Sequence, residues 1–299
     1  MSTTDVEARV DPAPQRRHRP RLAGPIGLAP FSIYVVLFLA LPTVLAVATG
    51  LFDGNGNLTW DNFSGLADPT VLSTYWTSIW ISLLTAAIGA VLGALVCYAM
   101  LGLAPTHPVR VFVDAAAGVF AQFGGVMLAF LFIATIGRNS FINGWLLSVG
   151  IDIYGAGTWL YDVPGIALAY VYFQIPLMVI TFGPAMAGLK SQWAEANLSL
   201  GGTRRTFWTR IGIPVLAPSF IASYLLLFAN SFSAYATAAA LASQGSQIVP
   251  LAIRTALTSE TMLGHSNLAG ALAAGMIIVM AIAMTGYSVI QRRADRWRS

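Results

Sequence analysis

The chain predicts an all-α integral membrane protein, with six transmembrane helices and a polar helical segment between the fourth and the fifth. Three observations predict it. Only 9% of the 299 residues are charged and 57% are hydrophobic, against about 25% charged in soluble domains. The mean hydropathy is +0.71. Six apolar runs reach the roughly 20 residues that a helix needs to cross the hydrocarbon, and Lys and Arg gather on one side once those runs are threaded through it.

Residues 1–25 are a polar arm with Pro12, Pro14, Pro20 and Pro25 among Arg9, Arg16, Arg17, Arg19 and Arg21. Nothing there builds a core, so a flexible basic arm held at an anionic cytoplasmic leaflet is expected. Arg16-Arg17 raises a twin-arginine export signal. The apolar run that follows is too long for the core of a signal peptide and lacks a clear small-residue cleavage site.

The six runs lie at about 26–50, 75–103, 111–136, 158–187, 215–242 and 266–290, which makes 26–293 one membrane domain and 294–299 a short tail. Pro30, Pro42, Pro176, Pro184 and Pro218 fall inside runs and are expected to kink them. Membrane helices tolerate this where neighbours satisfy the freed carbonyl.

Charge sets the topology. With the N-terminus inside, the inner side holds the five arginines of the arm, Arg110, Lys190, Arg204, Arg205, Arg210, Arg292, Arg293, Arg296 and Arg298. The outer side holds only Arg138 and Arg254. Both termini are therefore expected in the cytoplasm, in a bacterial-type inner membrane, and so is the segment 188–214. The net charge of +4 needs no nucleic acid to explain it, and none is expected as a partner. On the outer side, Asp53, Gly54, Asn55, Gly56 and Asn57 suggest a calcium loop, but no bidentate Glu follows at the required spacing, so a solvated turn is expected. Phe141, Ile142, Trp145 and Leu146 suit a short helix lying at the interface.

The segment 188–214 is the most polar long interruption. Leu189, Trp193, Ala196 and Leu200 recur at i, i+4, i+7 and i+11, one face of a helix. Gly201-Gly202 breaks that helix, and Thr203 is placed to cap a second at about 204–213. Pro214 suits the start of the fifth span. Two short amphipathic helices with a glycine elbow are expected. Two readings fit them: a docking segment for a soluble partner, or a helix pair that only anchors in lipid.

Glu195-Ala196-Asn197, then Gly201, then Ile211-Gly212-Ile213-Pro214 resembles, interval for interval, the Glu-Ala-Ala…Gly…Ile-x-Leu-Pro pattern of permeases in binding-protein-dependent ABC importers. Asn197 stands for the second Ala, Leu200 for a common acid, and Ile213 for Leu. Asp61-Asn62-Phe63 resembles the first outer loop of these permeases, and Tyr172-Phe173-Gln174-Ile175-Pro176 the fourth span of their polyamine and iron branches. The resemblance covers about 26–293. It implies a methionine-importer-like helical core that pairs with a second permease, identical or homologous. It also implies a pair of cytoplasmic ATPase subunits that receive the coupling segment, and an extracytoplasmic binding protein that delivers a small polar solute, polyamine-like, sugar or other. By the same resemblance Glu195, Ala196, Gly201, Arg204, Arg205, Ile211 and Pro214 serve ATPase coupling. Glu195 makes a charge contact or a helix cap, and the arginines pair with acids on the ATPase or with lipid phosphate.

Polar groups at membrane depth are costly and often functional. Gln122, Tyr172, Gln174, Asn230, Ser233 and Tyr235 are the candidates for a solute path, with Asn230, Ser233 and Thr237 on one helical stripe. The same residues also suit plain helix–helix hydrogen bonding. Ala86, Gly89 and Gly93, with Gly270 and Ala274, are small residues expected to pack helices.

Other classes fit less well. No carboxylate sits at the centre of a run, which argues against a stand-alone channel or secondary transporter driven by protons or sodium. His107 with Asp114 is the only pair resembling an enzyme's acid–base set, and it is isolated. The phosphate-binding GxxxxGK[ST] motif is absent, so ATP hydrolysis is expected on a separate subunit. Cys97 is alone and the histidines are scattered; neither a metal nor a cofactor is expected.

Overall fold

A computed structural model describes residues 23–52, 57–155, 157–242, 248–258 and 266–296. The arm before residue 23, most of the suspected calcium loop and the last residues of the tail lie outside the described residues. Among the described residues the chain is helical, with a single isolated β-bridge between Phe52 and Leu58. Six stretches are long and apolar enough to cross a membrane.

The first unit, up to Leu45, holds α1 (Ala23–Val35), a π-turn (Val36–Ala40) and most of α2 (Leu41–Thr49). Its apolar side chains, Phe31, Leu37 and Phe38 among them, are exposed. At the π-turn the Leu41 N–H donates to Val36 O, five residues back. The reason is Pro42: its ring cannot approach the carbonyl four residues earlier, and a widened turn relieves the clash.

The second unit carries the rest. Short helical turns at α3 (Asp61–Ser64) and Gly65–Ala67 lead into α4 (Pro69–Ala99). This helix starts earlier than the apolar run because Asp68 caps it, accepting from Thr70 N–H at 2.7 Å, with Pro69 in the first turn. The cap hydrogen bond from the Thr70 backbone holds the exposed Asp68 carboxyl below its ordinary pKa. The run expected as one helix at 111–136 is two, α5 (Pro108–Gln122) and α6 (Gly125–Ile136), parted at Phe123-Gly124. Gly125 takes φ +68°, a conformation that costs other residues about 1–2 kcal/mol. The apolar stretch continues through a turn at 137–140 into α7 (Phe141–Ser148). A short helix is present where one was expected, with Phe141 and Trp145 exposed and Ser140 as its cap.

α8 (Val163–Ala187) stays helical through Pro176 and Pro184. After α9 (Ser191–Ser199) and α10 (Arg204–Phe207) a second π-turn (Trp208–Gly212) runs without interruption into α11 (Ile213–Phe232). Ile213 N–H donates to Trp208 O, again five residues back and again just before a proline, Pro214. The expected separate second helix is therefore the first turns of the fifth span, and Arg204–Phe232 is one rod of 29 residues. The fifth run breaks at 233–235 before α12 (Ala236–Leu241), so the expected helix over 215–242 is also divided. α13 (Val249–Thr258), not anticipated, precedes α14 (Ser266–Arg296).

Lipid tails are as apolar as Leu, so close packing rather than transfer from water holds such helices together. α8 is the central element, packing on α4, α5 and α11. A Cβ at Gly89 would come 2.6 Å from Gln174 Cβ, and one at Gly93 2.8 Å from Ile175 O; the small residues let α4 and α8 touch. One apolar cluster gathers Phe182, Met186, Leu216 and Phe232, and a second gathers Leu128, Leu160, Ile166 and Phe173.

Candidate functional site

The segment after α8 is built by its turn chemistry. α9 ends at Ser199 with Leu200 as its C-cap, and Gly201 takes φ +76°. Gly201 N–H donates to Leu198 O at 2.9 Å and Gly202 N–H to Asn197 O at 2.8 Å. This pair of reversed bonds closes a helix C-terminus in the Schellman manner. Thr203 then caps the next helix, its hydroxyl accepting from Thr206 N–H at 3.3 Å. The elbow and its cap are thus as the sequence implied.

The buried face of α9 is not the expected one. Trp193 and Ala194 are half-buried and Asn197 is buried, whereas Ala196 and Leu200 are exposed, Leu200 at 88%. The helix ends before Leu200, so the apolar stripe loses its last member. Glu195, Ala196, Leu198 and Leu200 form the exposed side. Glu195 sits in mid-helix, which removes the reading of it as a helix cap.

Arg204, Arg205, Arg210 and Pro214 are exposed and Ile211 is half-buried. Arg204 is engaged within the chain: its Nη2 donates to Tyr98 Oη at 2.6 Å, at the end of α4. The Tyr98 ring meets Trp208 edge-on, centroids 5.3 Å apart. Gly212 lies under Trp208, where a Cβ would come 2.6 Å from the indole. These contacts fasten the start of the rod to α4. Between the ends of α4 and α8, the start of α5 and this segment is a cavity of about 610 Å³. Cys97, Met186 and Phe207 line it, with Arg110, Asp114 and Lys190 as its charged groups.

The membrane-embedded polar candidates divide. The break after α5 and the break after α11 meet, because Thr237 Oγ1 donates to Gly125 O at 3.2 Å. Gln122, Ser233 and Tyr235 border these breaks and are exposed, as is Asn230 one turn earlier. Tyr172 is half-buried, its ring 6.1 Å from Phe120 and 5.9 Å from Phe132, on either side of the first break. Gln174 is fully buried and donates to Thr85 Oγ1 at 2.8 Å; its Oε1 has no partner. It belongs to the α4–α8 contact rather than to the breaks. Thr237 leaves the expected stripe because α11 has already ended, and it is buried. Nothing local in the sequence marks Thr85, Tyr98 or Asn197 for these contacts. The Gly124-Gly125 pair is the one readable signal for the first break. No group of three or more metal-ligating side chains is found among the described residues.

No protein-family model matches the chain. Relatives do. The sulfate transport permease CysT of Escherichia coli is 27% identical over 208 residues, 68% of this chain and 69% of its own. The trehalose transport permease SugB of Mycobacterium tuberculosis is 24% identical over 270 residues, 90% of each chain. The spermidine/putrescine permease PotB of Haemophilus influenzae is 21% identical over 275 residues, 85% of this chain and 89% of its own. The polyamine branch is thus one of several related ones. In fold, a bacterial importer of alginate matches with TM-score 0.69 at 16% identity over 91% of this chain and 94% of that one. The methionine importer MetNI matches with TM-score 0.55 at 12% identity over 76% of this chain and 98% of that one. In sequence and in fold, the chain is similar to the membrane permeases of ABC importers.

Proposed function

We propose that the chain forms the solute path of an ABC importer and passes the motion of a cytoplasmic ATPase pair into the membrane through residues 188–214. The observation that carries this reading is the pairing of an exposed α9 surface with an unbroken rod, Arg204–Phe232. A force applied at Glu195, Ala196, Leu198 and Leu200 enters a short helix, turns at a closed elbow and continues into a membrane helix without a flexible joint. Rigid secondary elements in contact are one physical route by which coupling travels between two sites. Arg205 and Arg210 are free to meet acids on the ATPase or lipid phosphate, while Arg204 is spent on Tyr98.

The path lies at the two meeting breaks. Non-helical backbone at membrane depth is tolerated where it is buried in protein or lines a water-filled cavity, and discontinuous helices commonly carry the solute site of transporters. Gln122, Asn230, Ser233 and Tyr235 offer amides and hydroxyls there, with Tyr172 behind them, and none is charged. That suits a small polar solute handed over by an extracytoplasmic binding protein. The alginate importer has been solved with a pentasaccharide-bound periplasmic protein, which supports such a partner here. The second permease is a copy of this chain or a homologue. The Lys and Arg distribution favours both termini and α9 in the cytoplasm.

The test is purification of the chain from its native membrane in mild detergent, with mass spectrometry of what accompanies it. An ATPase, a second permease and a binding protein are expected. A chain that emerges alone, and moves solute in liposomes without ATP, overturns the proposal in favour of a stand-alone channel or carrier.

A further inference from the structure

Asn197 occupies an unusual place for an amide. It is the one buried polar side chain of α9, 9% exposed. Its Nδ2 donates to Thr203 O at 3.1 Å. The same carbonyl accepts Phe207 N–H at 3.0 Å, the first helical bond of the rod. Asn197 therefore reaches across the Gly201-Gly202 elbow and bonds the opening carbonyl of the next helix. The elbow is fitted around it: a Cβ on Gly202 would collide with Asn197 Oδ1 and Cγ, and Gly202 N–H already bonds Asn197 O. α9 packs on α10, and this amide is the side-chain hydrogen bond between the two helical arms.

We propose that Asn197 is a positioning residue for coupling, a clasp that fixes the angle between α9 and the rod so that displacement of α9 is passed on rather than absorbed at the glycines. The proposal rests on the coupling reading of the segment. Two backbone bonds close the elbow, but both belong to the end of α9 and neither reaches the next helix. Alanine, which the resembled pattern carries at this position, has no donor to do so.

The experiment uses the permease–ATPase complex reconstituted in lipid nanodiscs, assayed with Mg-ATP, with and without the co-purified binding protein carrying the solute it was isolated with. Asn197→Ala, Asn197→Asp and Gly201→Asp are compared with wild type. Asn197→Asp keeps the shape and removes the donor. Both Asn197 variants are expected to retain the ATPase at wild-type stoichiometry, while stimulation of hydrolysis by the binding protein falls three- to tenfold. Phe207 N–H should exchange faster with deuterium in both. Full stimulation in Asn197→Asp overturns the clasp while leaving the coupling segment standing, provided Gly201→Asp is impaired. Loss of the ATPase from the Asn197 variants overturns it too, since the residue then only maintains the fold. Normal assembly and stimulation in Gly201→Asp as well defeats the coupling reading itself, and the clasp with it.

Discussion

Gln174 Nε2 lies 2.8 Å from Thr85 Oγ1, directly beside the point where Gly89 lets α4 and α8 come into contact. Thr85 in turn donates to Ile81 O at 2.8 Å, so the amide ends a short hydrogen-bonded chain inside the helix pair. Between membrane helices such a bond is worth about 0.6 kcal/mol on average and at most about 1.7. Gln174→Met should lower the melting temperature in detergent slightly and leave solute selectivity unchanged. Gly89→Val should cost more, about 1–3 kcal/mol, because the added carbons meet α8. Size-exclusion profiles and melting curves of the two variants check both expectations.

The meeting of the two breaks makes a separate prediction. Asn230→Leu combined with Ser233→Leu should abolish most transport while the ATPase still co-purifies, because both side chains are exposed and Ser233 bonds only within its own turn, to Ala229 O and Asn230 O. Loss of ATPase association in the double variant would make the pair structural. Gly125→Ala should destabilise by about 1–2 kcal/mol through its positive φ alone, measurable as a lower melting temperature.

Acid should loosen the start of α4. The folded pKa of Asp68 is depressed, so its contribution is fully present above the ordinary value of 3.8 and is lost as pH falls through the lower folded value. Asn also caps helices but does not titrate. Asp68→Asn should therefore flatten the acid limb of a pH–stability profile, and an unchanged profile would show that the cap is not what titrates.

Much of this architecture is readable along the chain because its signals are local. Six apolar lengths, the Gly201-Gly202 elbow and the Thr203 cap each follow from neighbouring residues. The breaks are harder. Gly124-Gly125 is a visible pair of helix breakers, but Ser233-Ala234-Tyr235 sits in an apolar run with nothing to mark it, and only the contact with Gly125 places it. Gln174 looks like a path residue because it is polar in a span; its burial depends on Gly89, far away in sequence. The stripe Leu189, Trp193, Ala196, Leu200 holds only in part: α9 covers neither Leu189 nor Leu200, and Ala196, inside it, faces outward while Asn197 is buried. α13 escaped notice because its ten residues are too few to read as a span.

If the exposed side of α9 is where the ATPase binds, the ATPase retained by permease variants reads that contact out. Wild type, Glu195→Lys and Asn230→Leu are purified in mild detergent, and the ATPase retained by each is quantified. Glu195 is exposed and mid-helix, so its charge reversal should leave the melting temperature and membrane insertion unchanged. At least a tenfold loss of bound ATPase is expected for Glu195→Lys and none for Asn230→Leu. Equal ATPase content in all three, with wild-type uptake by Glu195→Lys, would contradict it.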